Sequence, residues 1–230
     1  MKKAICLLSG GLDSTTALYA ALKQGFEVSA LTIQYGQLHK KEIDFAKESA
    51  KHLRIPHHVI SIELPWKGSA LLDEKISMPM NRNESEMSRE IPSTYVPARN
   101  SVFLSLAVSC AEAENAKAIF IGANALDYSG YPDCRPEYFE AFEKVIACGT
   151  KAGVEGKKIK IEAPLLHLNK KEIVLLGREL GVPFEKTWSC YQGRQDPCGA
   201  CDSCKLRAKG FREAGIQDPA IHHEISSHSR

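Results

Sequence analysis

Short apolar runs alternate with segments of helical periodicity along most of the chain. Residues 3–8 (KAICLL), 27–33 (with the run VSALTI) and 118–122 (AIFIG) are apolar stretches closed by turn residues, and 58–62 and 158–161 are weaker runs of the same kind. Runs of this length read as strands, the apolar ones buried on both faces. Between them, residues 14–23 place Ala17, Leu18, Ala21 and Leu22 on one helical face, and residues 39–53 place Ile43, Ala46, Ala50 and Leu53 inward. Residues 98–113 read as an apolar helix, and 136–148 as a helix with Pro136 in its first turn. Residues 169–180 form a helix with Asn169 as N-cap and Gly181 at its end. Strand–helix alternation predicts an α/β fold, a Rossmann-like doubly wound parallel sheet with helices on both faces. Ligands of such sheets lie beyond the carboxyl ends of the strands, which singles out the loops 9–14, 34–39 and 123–135.

Two stretches leave this pattern. Residues 73–97 are polar and contain three prolines, which fits either a surface excursion or a flap over the site. The last residues, HHEISSHSR, read as a loosely held tail. With 230 residues, 43% of them hydrophobic, the chain supports one well-filled core and a small appendage. A formal net charge of +2 gives no sign of a nucleic-acid partner. No apolar run approaches the ~18 residues of a membrane span. The run after MKK is too short for a secretion signal, so no membrane is expected and the cytoplasm is the expected location.

The first strand runs into Ser9-Gly10-Gly11-Leu12-Asp13-Ser14-Thr15-Thr16 and then a helix. Glycines let backbone approach an anion, and the helix start offers unpaired N–H groups at the positive end of its dipole. Leu8 ends the strand, and the hydroxyls of Ser9, Ser14 and Thr15 add donors. The loop lacks the lysine of G-x-x-x-x-G-K-[ST] and the spacing of G-x-G-x-x-G. It matches SGGxDS, the PP-loop of ATP pyrophosphatases of the N type. That match implies cleavage between the α- and β-phosphates of ATP, with Ser9, Asp13 and Ser14 nearest the chemistry. A carboxylate beside phosphates repels them unless Mg²⁺ or a neighbouring cation intervenes, so Asp13 is assigned to positioning or to Mg²⁺.

Eight cysteines are present, and Cys190, Cys198, Cys201 and Cys204 fall within fifteen residues as C-x7-C-x2-C-x2-C. Four thiolates make a closed tetrahedral zinc site with no open position, hence a structural one. An iron–sulfur cluster is the alternative, but the spacing departs from the ferredoxin run. The metal would pin a segment whose apolar content (Trp188, Tyr191, Leu206, Phe211) is too thin to fold alone. A boundary is therefore expected near residue 183, with 1–183 binding nucleotide and 184–230 binding zinc through a small helical subdomain.

Three further signals remain. SGYPDCR (129–135) follows the fourth strand, and with Asp127 upstream it offers carboxylates, aromatic rings and a guanidinium. Tyr131 could stack on a guanine-like base, Asp127 or Asp133 could accept its N–H groups, and Arg135 could hold a carboxylate or phosphate; a plain polar turn at Pro132 fits as well. Cys134 is a nucleophile by position or a buried small side chain. YVPARN (95–100) opens the apolar helix and brings Arg99 to its N-terminus, a place for nucleotide or substrate.

SGGLDSTT, QYGQLHKKE (34–42), YVPARN, GANALDYSGYPDCRPEY and the C-terminal cysteines occur in this order in the 7-cyano-7-deazaguanine synthases. From end to end the chain resembles that family, with residues 73–97 and the tail outside the match. The resemblance implies an adenine nucleotide alpha hydrolase-like fold. It also implies ATP-dependent joining of ammonia to 7-carboxy-7-deazaguanine, in queuosine biosynthesis. The ligand sets it implies are residues 8–16 and Arg99 for ATP, the four cysteines for structural Zn²⁺, Mg²⁺ with the nucleotide, and a homodimer. Two rivals stand beside it: a PP-loop enzyme modifying a tRNA base, and a zinc module that binds nucleotide without chemistry.

Overall fold

The structure, a computed structural model, describes residues 1–125 and 131–220. Five parallel strands form one sheet in the order β3-β2-β1-β4-β5, with β1 Lys2–Leu7, β2 Phe26–Gln34, β3 His57–Ser61, β4 Ala118–Ile121 and β5 Lys160–Glu162. Helices α1 (Leu12–Lys23) and α2 (Lys41–Leu53) cover one face, and α4 (Arg99–Ala113) and α5 (Pro136–Gly149) the other. Strand alternation sets this division. Ala4 and Cys6 of β1, with Leu8 just after it, cluster with Leu18 of α1 and Ala46 of α2, while Ile5 and Leu7 cluster with Leu104 of α4. Both sets are almost fully buried, so the central strand is apolar at every inward position rather than alternating with polar residues.

The chain winds outward from β1 to β3 and then crosses back to β4 on the other side of β1. The reversal opens a crevice between the carboxyl ends of β1 and β4. Gly122 ends β4 there. A Cβ on it would lie 2.7 Å from both Cα and N of Ser14, so only glycine lets the start of α1 sit on β4. Gly10 is constrained twice over: its φ is +86°, and a Cβ would fall 2.2 Å from the Glu42 carbonyl oxygen of α2.

A third cluster joins α1 to the end of the chain. Leu12 and Ala17 of α1 pack with Ile173 and Val174 of α7 (Lys170–Leu180), Phe184 and Phe211 of α8 (Asp202–Ala214). Asn169 caps α7 in a reciprocal box with Glu172, and Gly181 closes it at φ +76°. The short α6 (Lys151–Val154) leads into β5.

The excursion after β3 contains one helix, α3 (Glu84–Arg89), started by an Asn83–Glu86 capping box. Instead of hanging free, this stretch braces the cysteine segment. Met80 pairs with Cys201 in an antiparallel bridge, and Asn81 N donates to the Ala200 carbonyl at 2.8 Å. Arg82 forms an ion pair with Asp202, whose carboxylate is buried, and Lys205 Nζ donates to the Arg82 carbonyl. Among the described residues no helix is long and apolar enough to cross a membrane.

Candidate active site and cysteine cluster

The three loops singled out by the pattern line one cleft with the starts of α4 and α7 and residues 188–191. On one side of it the loop after β1 is fixed by its own hydroxyls. Ser9 Oγ lies 3.0 Å from Ser14 Oγ and accepts from Gly11 N at 3.2 Å, and Ser14 Oγ also accepts from Ser9 N. These bonds close a small ring of donors at the start of α1, where an anion meets the positive end of the helix dipole. Ser9, Gly11, Leu12, Asp13 and Ser14 face the cleft, and Leu8 forms its floor. Gly10, Thr15 and Thr16 do not line it. Thr15 is fully buried, and Thr16 Oγ1 turns back to the Leu12 carbonyl at 2.8 Å. Gly10 serves through its backbone, accepting from Trp188 N at 2.9 Å.

Both oxygens of Asp13 accept from Lys170 Nζ, at 2.9 and 2.8 Å, with the lysine side chain only 7% exposed. Here is the cation that a carboxylate in a phosphate loop requires. Sequence reasoning passed over Lys170, although a signal existed. A lysine at the first position of a capped helix stands against the helix dipole, so something outside the helix must hold it there.

The opposite wall is aromatic and cationic. Arg99 is partly buried, donates to the Tyr35 hydroxyl at 3.1 Å and lies near the Tyr35 and Phe103 rings. Burial works against its charge, but the facing Tyr35 and Tyr131 oxygens leave its pKa above the usual value. Tyr131 lines the cleft, with its hydroxyl 3.1 Å from Thr94 Oγ1. Glu42, from the first turn of α2, enters between this wall and the phosphate loop. Burial raises its carboxyl to about 7, against the opposing pull of Arg99 and a long 3.5 Å contact from Gln37. Glu42 stood inside the QYGQLHKKE motif, but no spacing rule marked it as part of a site.

The remaining candidates separate. Asp133 is buried and caps α4, its Oδ2 accepting from Asn100 N at 3.0 Å, and does not line the cleft. Arg135 is exposed outside the cleft, at the start of α5. Asp127 lies outside the described residues. The Cys134 thiol faces the cleft, receives a contact from Asn100 Nδ2 at 3.3 Å, and is pushed up to about 12, chiefly by burial. Burial thus disfavours the thiolate, the form a nucleophile needs.

The ligand sulfurs of Cys190, Cys198, Cys201 and Cys204 all lie within 4.8 Å of one another. The Cys198–Cys204 separation is 3.9 Å, close to the edge of about 3.8 Å expected for a tetrahedron with metal–sulfur bonds of ~2.3 Å. Backbone N–H groups of Gln192 and Cys198 point at Cys190 Sγ, and that of Cys201 at Cys198 Sγ, the support that ligating thiolates need. The sulfurs are close enough to act on one another, S–H contacts from Cys201 and Cys204 pulling Cys190 down. A cation at their centre would let all four ionise. The cluster also buttresses the cleft: Trp188, two residues before Cys190, packs on Phe45 of α2 and carries Lys41 Nζ 3.8 Å over its ring.

Fold and cleft together define an α/β protein with a PP-loop motif at Ser9–Ser14 and a cysteine-clustered C-terminal segment. More narrowly, the chain belongs to the QueC family, described as queuosine biosynthesis protein QueC, whose model matches residues 3–215. It is 54% identical over 221 residues to 7-cyano-7-deazaguanine synthase of Trichodesmium erythraeum, covering 95% of this chain and 100% of the relative. Identity to the protein of that name from Thermoplasma volcanium is 51% over 218 residues, covering 95% and 90%. Among solved structures, NMN synthetase from Francisella tularensis shares the fold, with a TM-score of 0.50 at 20% identity over 94% of this chain and 78% of that one.

Proposed function

We propose that this protein converts 7-carboxy-7-deazaguanine and ammonia to 7-cyano-7-deazaguanine with ATP, in queuosine biosynthesis. The observation that carries the reading is the Ser9–Ser14 hydroxyl ring at the start of α1, with Asp13 held by Lys170, facing the Arg99–Tyr35 wall across one cleft. Full-length identity above 50% to proteins of that name supports it. Turning a carboxylate into a nitrile removes two oxygens, each a poor leaving group. The substrate carboxylate attacks the α-phosphorus of ATP, pyrophosphate leaves, and ammonia displaces AMP to give an amide. The amide oxygen is adenylated in turn, and loss of AMP leaves the nitrile. One phosphate loop serves both activations, so two ATP are consumed per product.

Ser9, Ser14 and the N–H groups at the start of α1 hold phosphate oxygens where charge develops. Lys170 neutralises Asp13, so the loop accepts the polyphosphate, with Mg²⁺ as its counter-ion. The guanidinium of Arg99, which the resemblance gives to ATP, meets the nucleotide or the substrate carboxylate, and the Tyr35, Phe103 and Tyr131 rings flank the base. Zn²⁺ on the four cysteines supplies fold stability and no chemistry. A homodimer in the cytoplasm is the expected working form, since reduced thiols suit that compartment. The test is pyrophosphate release on mixing protein, ATP, 7-carboxy-7-deazaguanine and ammonia, with the nitrile identified by mass. Two pyrophosphates per nitrile are expected; one per nitrile, or none dependent on the carboxylate, overturns the reading.

A further inference from the structure

The chemistry at this cleft has a requirement that the phosphate loop does not meet. Ammonia's nitrogen carries three protons and the nitrile's carries none. In the first half, nitrogen attacks the carbonyl carbon of the acyl adenylate and the C–N bond forms. The C–O bond to AMP then breaks, its electron pair going to the phosphate oxygen, and one proton leaves nitrogen. In the second half, the amide oxygen displaces pyrophosphate from the second ATP, and nitrogen loses a proton to give the O-adenylyl imidate. The last N–H proton leaves as the C–O bond breaks and the triple bond forms. No electron is gained or lost from outside. The first adenylation, by contrast, starts from a carboxylate and moves no proton.

We propose that Glu42 is the catalytic proton acceptor for the ammonia-derived nitrogen; this rests on the functional reading above. Among the described residues lining the cleft, the carboxyl groups are Asp13 and Glu42. Asp13 has both oxygens engaged by Lys170. Glu42 has a single long contact from Gln37. The α2 backbone at Glu42 abuts the loop at Gly10, its side chain lines the same cleft as Arg99, and the Arg99 charge acts on its carboxyl. The groups facing it are Arg99 from α4 and Gln37 and Tyr35 from the loop after β2, with Lys41 beside it turned onto Trp188. A carboxyl raised by burial to about 7 takes up and releases protons near neutrality, the range suited to a general base. The other bases on the cleft fit less well. His39 is exposed at the mouth, and the Cys134 thiol is held protonated.

The test separates the proton-neutral half-reaction from the proton-releasing ones. Glu42→Gln and Glu42→Asp are compared with the wild-type protein in two assays. One is ATP–pyrophosphate exchange driven by 7-carboxy-7-deazaguanine without ammonia. The other is nitrile formation at fixed free ammonia across pH. Glu42→Gln is expected to lower nitrile formation about 10²–10⁴-fold more than it lowers exchange, and the exchange that persists also shows that the variant folds. In the wild-type protein, activity rises with pH as the carboxyl ionises around 7 and is lost below it; that limb is absent from Glu42→Gln and retained, at reduced rate, in Glu42→Asp. Equal loss of exchange and nitrile formation in Glu42→Gln makes Glu42 a positioning residue and overturns the proposal. So does an unchanged nitrile rate, or a limb that survives Glu42→Gln and disappears in His39→Gln. Failure of the wild-type protein to catalyse exchange would instead refute the functional reading.

Discussion

The Asp13–Lys170 pair gives a quantitative test of the phosphate loop. At 2.8 Å, two unit charges attract by about 6 kcal/mol at an effective dielectric constant of about 20. Desolvation returns much of that, and Asp13 remains 21% exposed, so the coupling left is roughly 2–3 kcal/mol. Lys170→Met strands a carboxylate at the phosphate site and should cost about 3 kcal/mol of stability. Asp13→Asn removes the carboxylate that pairs with a lysine 7% exposed, and should also lower stability. In the double variant both charges go together, and its loss should fall short of the summed singles by the coupling. Urea unfolding of the four proteins at one metal loading gives the cycle. ATP binding by calorimetry supplies a second reading: Lys170→Met weakens it by at least about tenfold, or 1.4 kcal/mol, and Asp13→Asn added to it restores part of the loss. A coupling below about 0.5 kcal/mol would mean that the two groups do not act as a unit. Equal ATP affinity in Lys170→Met and the double variant would show that the Asp13 charge never reaches the nucleotide.

Two further outcomes follow from the packing. Stripping metal with a chelator, or Cys201→Ser, should lower Tm by roughly 10 °C and redden Trp188 emission, because the proposed metal would contribute several kcal/mol to holding the segment that buries that ring; an unchanged Tm and spectrum would remove the metal from the fold. His57, whose ring lies 2.8 Å from Thr32 Oγ1, has its pKa lowered first by burial and then by His58 and Lys47. The unfolded chain therefore binds more protons below about 6.5, and stability should fall as pH drops through that range and fall less in His57→Gln, read from urea midpoints.

Much of this protein is legible from one chain read once. The strands of β1, β2 and β4 declare themselves because parallel strands buried on both faces are uninterrupted apolar runs, and Gly-Gly beside Ser and Asp at the end of the first gives the loop that the proposed phosphate site uses. The cysteine spacing announces a metal cluster because four ligands from one short segment need no help from topology. Local signals also gave the cap of α7, though the equally local Asn83–Glu86 box went unread inside a polar stretch. Only the tertiary structure decided the rest. Lys170 reaches Asp13 across 157 positions because α7 packs on α1, and Arg82 reaches Asp202 because the stretch after β3 docks on the cysteine segment. Asp133, promising as a ligand in its motif, caps α4 instead, and Glu42 enters the cleft because α2 begins against Gly10. The reason is physical. Periodicity and spacing record what a residue does for its own element. The partner of a charge, and the solvent it loses, are set by elements that meet only when the sheet closes.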